Sequence, residues 1–237
     1  MTENLHRANN FILLAGGAAL IGFAPIFVRW SEMSPSWILF YRMLLTLPML
    51  VLINLYLNKS FVFKVRSKKS IYIAFIAAFA FTIDLTLWHW SMTMTSISNS
   101  TIIVNSAPIF VALIYFLFFK ESLNRHFFIS LGVTYMGVAG LILSADTYTS
   151  GNLLGDILSL IAAVFYATYL VFISRLGKEE ALSIIFYTSL FCCLFSLPVA
   201  LIESPQILPP SINEWINLFL LALLCQVGGQ YMITYSI

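Results

Sequence analysis

The 237-residue chain is 60% hydrophobic and 9% charged, with a formal net charge of +2 and a mean hydropathy of +0.93. An ordinary soluble domain carries roughly 25% charged residues, so this composition excludes a soluble globular fold. The net charge alone points to no particular partner.

A membrane-spanning helix needs about 20 consecutive apolar residues, and the chain supplies such runs repeatedly. The first, Phe11 to Trp30, follows a polar start and is too long for a signal-peptide core. It also lacks a small-residue cleavage site, so it reads as a retained helix. Apolar runs between charged or turn-rich breaks predict helices near residues 10–30, 36–57, 71–91, 97–119, 127–144, 153–174, 181–202 and 214–236. The runs are long and lack the alternation of a membrane barrel, so the expected fold is all-α. It is a polytopic membrane helix bundle of about eight transmembrane helices.

Helix two carries Arg42, about six residues below its outer end, and helix three carries Asp84, about seven residues below its own. At 1.5 Å per residue both lie roughly 9 to 11 Å deep. Ionisable groups inside a membrane are costly and default to functional hypotheses. Two readings stand: a salt bridge that holds two helices in register, or Asp84 as a proton or substrate-cation acceptor with Arg42 as an anion clamp. His89 lies between Trp88 and Trp90, where it reads as an interfacial anchor or as a proton relay. Trp88, one turn from Asp84, is placed to stack on a ring or cation.

In helix four Ser98, Thr101, Asn105 and Pro108 recur at steps of three and four and share one face. They either pack against a neighbouring helix or line a cavity with Thr101 and Asn105, while Pro108 frees the carbonyl of Val104. Glu121 ends that helix beside Lys120 and reads as part of a surface or gate ion pair. Asp156 reads as a helix amino-terminal carboxylate favoured by the dipole. Tyr166 in helix six offers a mid-membrane phenol, as donor to a polar ligand or as packing. Helix eight presents Gln226, Gln230 and Thr234 as a polar stripe. Cys192, Cys193 and Cys225 sit in apolar runs and read as small buried hydrophobes.

Lysine and arginine set the orientation. Of the 12, ten (Arg7, Lys59, Lys64, Arg66, Lys68, Lys69, Lys120, Arg125, Arg175 and Lys178) fall on one side. Arg29 stands alone on the other, and Arg42 lies within a helix. The amino terminus is therefore expected in the cytoplasm. The run Lys59 to Lys69 reads as this topological signal rather than as a nucleic-acid or lipid patch.

A weak internal repeat recurs at an offset near 145. Phe11-Ile12-Leu13 aligns with Asp156-Ile157-Leu158, Ala18 with Ala163, Phe27 with Phe172, and Trp90-Ser91-Met92 with Tyr235-Ser236-Ile237. Phe40-Tyr41 and Phe186-Tyr187 each precede a Leu-Pro pair. The reading is a first five-helix repeat over 1–145 and a second, incomplete repeat of three helices over 151–237. Five being odd, the second copy is inverted relative to the first, the architecture of alternating-access carriers. Counterparts of residues 93–145 are absent, so the chain reads as a 5+5 architecture lacking its last two helices.

The residues resemble the drug/metabolite transporter superfamily, specifically its EamA-type permeases, which have ten helices in two five-helix repeats. The likeness is carried by Phe27-Val28-Arg29-Trp30-Ser31 through Phe40-Tyr41-Arg42, and by Ser96-Ile97-Ser98-Asn99-Ser100 through Ala107-Pro108-Ile109-Phe110 to Lys120-Glu121-Ser122-Leu123. Gly132, Gly137-Val138 and Gly155-Asp156 through Ser174-Arg175-Leu176 continue it. The resemblance implies a bacterial inner-membrane carrier for amino acids, nucleotide-like metabolites or drugs, driven by proton coupling or exchange. Substrate would fall to Asp84, Trp88, Thr101, Asn105, Tyr166, Gln226 and Gln230, and coupling or gating to Arg42, Asp84 and His89.

An enzyme is not expected. The sequence has no His-Glu-x-x-His, no phosphate-cradling glycine loop and no Gly-x-Ser-x-Gly, and no cofactor or metal is implied. The alternative to a permease is a non-transporting remnant or one part of a split transporter. Expected partners are the lipid bilayer and a small metabolite, with no nucleic acid, and a homodimer is left open.

Overall fold

The computed structural model describes residues 2–120, 152–177 and 179–236, with 125, 128, 129, 132, 133 and 136 between them. The helices are α1 (Thr2–Ile21), α2 (Ala24–Trp30), α3 (Pro35–Asn58), α4 (Lys68–Met94), α5 (Ile97–Val104), α6 (Ala107–Phe119), α7 (Leu153–Ser174), α8 (Ala181–Glu203), α9 (Ile212–Leu220) and α10 (Tyr231–Ser236). A π-helical segment, Leu221–Gln230, joins α9 to α10. No strand occurs among the described residues. Seven stretches there are long and apolar enough to cross a membrane: Asn10–Trp30, Pro35–Asn58, Lys68–Met94, Ile97–Phe119, Leu153–Ser174, Ala181–Glu203 and Ile212–Ser236. They coincide with seven of the eight expected helices. Of the remaining one, over 127–144, only residues 128, 129, 132, 133 and 136 are described, and Glu121 lies outside the described residues.

Three of these spans are not continuous α-helix. The first breaks at Gly22-Phe23 and restarts with Pro25 in the first turn of α2. The fourth breaks at Asn105-Ser106 and restarts with Pro108 in the first turn of α6. Proline lacks the N–H that an uninterrupted ladder needs there, and the first turn is where that lack costs nothing. Pro108 therefore opens a half-helix instead of sitting inside a continuous one. The last span widens into the π segment, a form that occurs mostly as short insertions and often at functional sites.

The chain divides into two compact units, Met1–Thr82 with Phe172–Ile237, and Ile83–Val171. In the first unit α3 and α8 form the most extensive helix pair and run antiparallel. The backbone N–H of Ser36 donates to Glu203 Oε2 (2.8 Å) at one end, and Asn58 Nδ2 donates to Glu180 Oε1 (2.8 Å) at the other. Between these ends Leu50, Leu182, Ile185 and Val227 are buried together with Phe63 from the α3–α4 loop. Phe63 stacks on Phe186 with centroids 3.8 Å apart.

Against the π segment and α10 lies α1, at a separation only glycine permits. A Cβ on Gly17 would stand 2.8 Å from the carbonyl oxygen of Gly229 and 2.9 Å from Met232 Cβ. Cys225 Sγ points at the Leu20 carbonyl and Cys192 Sγ at the Ala78 carbonyl, each at 3.3 Å. All three cysteines are buried free thiols.

In the second unit the turn between α4 and α5 is pressed against the start of α7, where a Cβ on Gly155 would lie 2.9 Å from Thr95 Cβ. Asp156 Oδ1 accepts from Thr95 Oγ1 at 2.7 Å. The carboxylate thus sits in the first turn of its helix, where the dipole favours it, and also ties that helix to the α4–α5 turn. Ala107 packs on Ala163 and Ala167, with Phe110, Val111, Ile114 and Tyr166 around them.

Candidate functional site

Each unit carries a buried polar cluster inside its spans. In the first, Arg42 lies seven residues into α3, about 10 Å below the helix end at 1.5 Å per residue. Only 2% of its surface is exposed. Its Nε donates to Oε1 of Gln226, itself 0% exposed, over 3.1 Å. The guanidinium is ionised at any accessible pH, so this contact is a charge-assisted hydrogen bond. Thr46 Oγ1 donates back to the Arg42 carbonyl at 2.8 Å.

Gln226 stands in the π segment, and Gln230 closes that segment. A π-helix winds wider than an α-helix, so residues four apart stay closer to one line. Gln226, Gln230 and Thr234 are all buried. With Gln226 Oε1 turned to Arg42, its Nε2 finds no hydrogen-bond partner among the described residues, and neither does Thr234 Oγ1. A buried amide N–H₂ normally has a partner. The arrangement is a cationic and amide donor surface inside the membrane, suited to an anionic or carbonyl-bearing group.

The second unit holds Asp84 (2% exposed), Trp88 and His89 (0% exposed) on α4. His89 is thus a core residue rather than a headgroup anchor, with its ring centroid 5.5 Å from that of Trp88. One turn on, Ser91 Oγ lies 2.6 Å from Ser100 Oγ, which lies 3.1 Å from Ser159 Oγ. Three helices, α4, α5 and α7, therefore meet through hydroxyls. Trp88 Nε1 and Thr101 Oγ1 find no hydrogen-bond partner among the described residues. Tyr166 is half-buried, with its ring stacked on that of Tyr169 at 6.1 Å.

The structure brings Arg42 together with Gln226, while Asp84 belongs to the other unit. The face expected for helix four is altered by the break in that span. Ser98, Asn105 and Pro108 are exposed, Thr101 is half-buried, and the fully buried polar residue of α5 is Ser100. Asn105 occupies the turn itself, its N–H donating to the Thr101 carbonyl at 3.0 Å.

Sequence reasoning missed Glu214. Buried in the first turn of α9, its carboxylate accepts from Ser31 Oγ and, at 3.0 Å, from the Glu32 N–H. The signal was present as Ser211-Ile212-Asn213-Glu214. That spacing announces a helix start, and Ser211 Oγ accepts from the Glu214 N–H at 3.1 Å. The glutamate side chain, however, reaches across to another loop instead of back to its own cap.

Seven apolar spans with buried ionisable, amide and hydroxyl groups define a multi-pass α-helical membrane protein. The sequence matches the EamA-like transporter family over residues 10–143 and 153–237. The chain belongs to that family. It is 27% identical over 139 residues to a protein of Rickettsia felis described as an S-adenosylmethionine uptake transporter, a match covering 58% of this chain and 45% of that protein. The chain thus matches just under half the length of that relative. A solved crystal structure superposes with a TM-score of 0.73 over 97% of this chain and 79% of the other, at 12% identity. At that identity the likeness concerns the fold.

Proposed function

We propose that the protein is a secondary permease that moves a small polar metabolite across the bacterial inner membrane by alternating access. Its amino terminus would be cytoplasmic, and transport proton-coupled or by exchange. The observation that carries the reading is the buried Arg42–Gln226 pair, formed between α3 and the π-helical segment. A charge held inside a membrane costs about 2.5 to 3.5 kcal/mol on insertion scales, and an apolar pair would fill the same space without that cost.

The substrate class is an amino-acid-bearing or nucleotide-like solute, and the name of the Rickettsia felis relative makes S-adenosylmethionine the first compound to test. Its carboxylate suits the Arg42 guanidinium and the Gln226 Nε2 donor, with Gln230 beside them along the same span. In the other unit we assign Trp88, Thr101, Asn105 and Tyr166 to substrate, His89 to coupling or gating, and Asp84 to both roles. The partners on this reading are the bilayer and the solute. The ten-to-one excess of lysine and arginine on one side supports the orientation.

The test is uptake of radiolabelled S-adenosylmethionine into proteoliposomes containing the full chain. Saturable uptake is expected, with Gln226→Leu raising KM about tenfold or more, the range for a hydrogen bond to a charged group. Uptake no higher than in protein-free vesicles, or a Gln226→Leu protein with unchanged KM, refutes the proposal.

A further inference from the structure

The two ends of the α3–α8 pair are tied by the same device in mirrored roles. Tyr41 is the seventh residue of α3 and Tyr187 the seventh of α8, each preceded by a phenylalanine. The Tyr41 hydroxyl donates to the carbonyl of Ile207, four residues beyond the end of α8, at 3.0 Å. The Tyr187 hydroxyl donates to the carbonyl of Phe63, five residues beyond the end of α3, at 3.1 Å. Each helix thus reaches from its own start to the loop that follows the other. The pair is antiparallel and a 24-residue helix is about 36 Å long, so the two bonds lie at opposite ends of the span.

Further contacts reinforce each end. At the first, Trp37 Nε1 donates to the Ser204 carbonyl at 3.1 Å and the Ser36 N–H to Glu203. At the second, Phe186 stacks on Phe63 and Asn58 donates to Glu180. The middle of α8 is different in kind. Its buried face is built from Thr188, Ser189, Cys192, Cys193, Ser196 and Ala200, small side chains that let helices approach closely and shift against each other.

We infer that Tyr41 and Tyr187 are paired latches, one for each membrane face, and that release of one opens its face while the other holds. This rests on the alternating-access reading. A carrier must keep its two open states close in free energy, because a bias of a few kcal/mol empties one of them. Two bonds of the same kind, at the same helical position and of nearly the same length, supply that balance. Losing one shifts the ratio of the two states by about fivefold, the factor one net hydrogen bond carries in an equilibrium.

The test needs no substrate. Ser36 and Ser183 are buried at the two ends of the pair, and their hydroxyls find no hydrogen-bond partner among the described residues. Each in turn is replaced by cysteine in a full-length protein whose Cys192, Cys193 and Cys225 are alanine. Labelling with an impermeant maleimide is then timed in intact cells and in inside-out vesicles. Tyr41→Phe is expected to speed labelling of Ser36→Cys about fivefold and to slow that of Ser183→Cys. Tyr187→Phe does the reverse, and the double variant returns the ratio to that of the parent.

Three results overturn the latches: labelling that rises at one end with no fall at the other, rises at both ends together, or changes at neither. Reciprocal labelling without S-adenosylmethionine uptake leaves the latches standing and removes the transport reading. Saturable uptake without reciprocity does the opposite.

Discussion

The approach of α1 to the last span can be probed by two adjacent substitutions that differ only in what a methyl group meets. A Cβ on Gly17 would sit 2.8 Å from the Gly229 carbonyl oxygen, 2.9 Å from Met232 Cβ and 3.1 Å from Ile233 Cγ1. Ordinary contact begins near 3.4 Å, so the helices must separate by a substantial fraction of an ångström. The first obstacle is backbone, which no rotamer change relieves. On Gly16 the same methyl meets only Met232 Sδ, at 3.6 Å. Overpacking costs about 1 to 3 kcal/mol, whereas alanine gains up to about 1 kcal/mol over glycine in helix propensity. Gly17→Ala should therefore be destabilised by about 0 to 2 kcal/mol net, and Gly16→Ala should be neutral or stabilised. Thermal unfolding of the two proteins in one detergent reads the difference as a gap of several degrees, at about 2 to 4 °C per kcal/mol for a chain of this size. Gln226 is carried by the π segment on which α1 packs, so Gly17→Ala should also weaken uptake. Equal melting temperatures for the two variants would refute the packing argument.

Two further outcomes follow from buried carboxylates. Glu214→Gln replaces a carboxylate that accepts through both oxygens, from the Glu32 N–H and the Ser31 hydroxyl, by an amide with one acceptor oxygen. It should lower stability by about 1 to 3 kcal/mol, read as a lower melting temperature in detergent; an unchanged value would mean that the link carries no weight. Asp84→Asn should flatten the pH profile of uptake if the carboxylate takes the coupling proton, and a variant with full uptake and an unaltered profile removes Asp84 from that role.

The spans were legible because membrane residence is written in length and hydropathy. Seven predicted helices reappear within a few residues of their expected bounds, even where, as in α4, the helix extends to a cap at Ser67. Their interruptions were harder to read. Pro25 and Pro108 follow helix breaks, whereas Pro48 and Pro198 lie within α3 and α8, a difference the proline alone does not announce. The π segment is equally silent, since Leu221–Gln230 reads as an ordinary apolar run with two glycines.

Among site residues, the periodic stripe of Gln226, Gln230 and Thr234 was visible and proved buried. The meeting of Arg42 with Gln226 was not visible, because the two lie 184 residues apart and depth along a helix says nothing of lateral neighbours. His89 misled for a related reason. Flanking tryptophans mark a belt only where they point to lipid, and a single sequence does not reveal which way each points.

The placement of Arg42 bears on the function more than any count of helices does. Surface ion pairs on a membrane protein can be incidental, but a guanidinium some 10 Å below a helix end is solvated by whatever the protein offers there. What this protein offers includes a side-chain amide oxygen from a segment whose backbone departs from α-geometry. If Arg42 only held helices together, Gln226 would serve best with both ends of its amide engaged, since a half-satisfied polar network is worse than an apolar core. Instead its Nε2 and the hydroxyl of Thr234, further along the same stripe, keep hydrogen-bonding capacity that no described residue uses. Such capacity, held at a cost within the bilayer, fits a surface whose missing partner comes and goes, as a transported solute does.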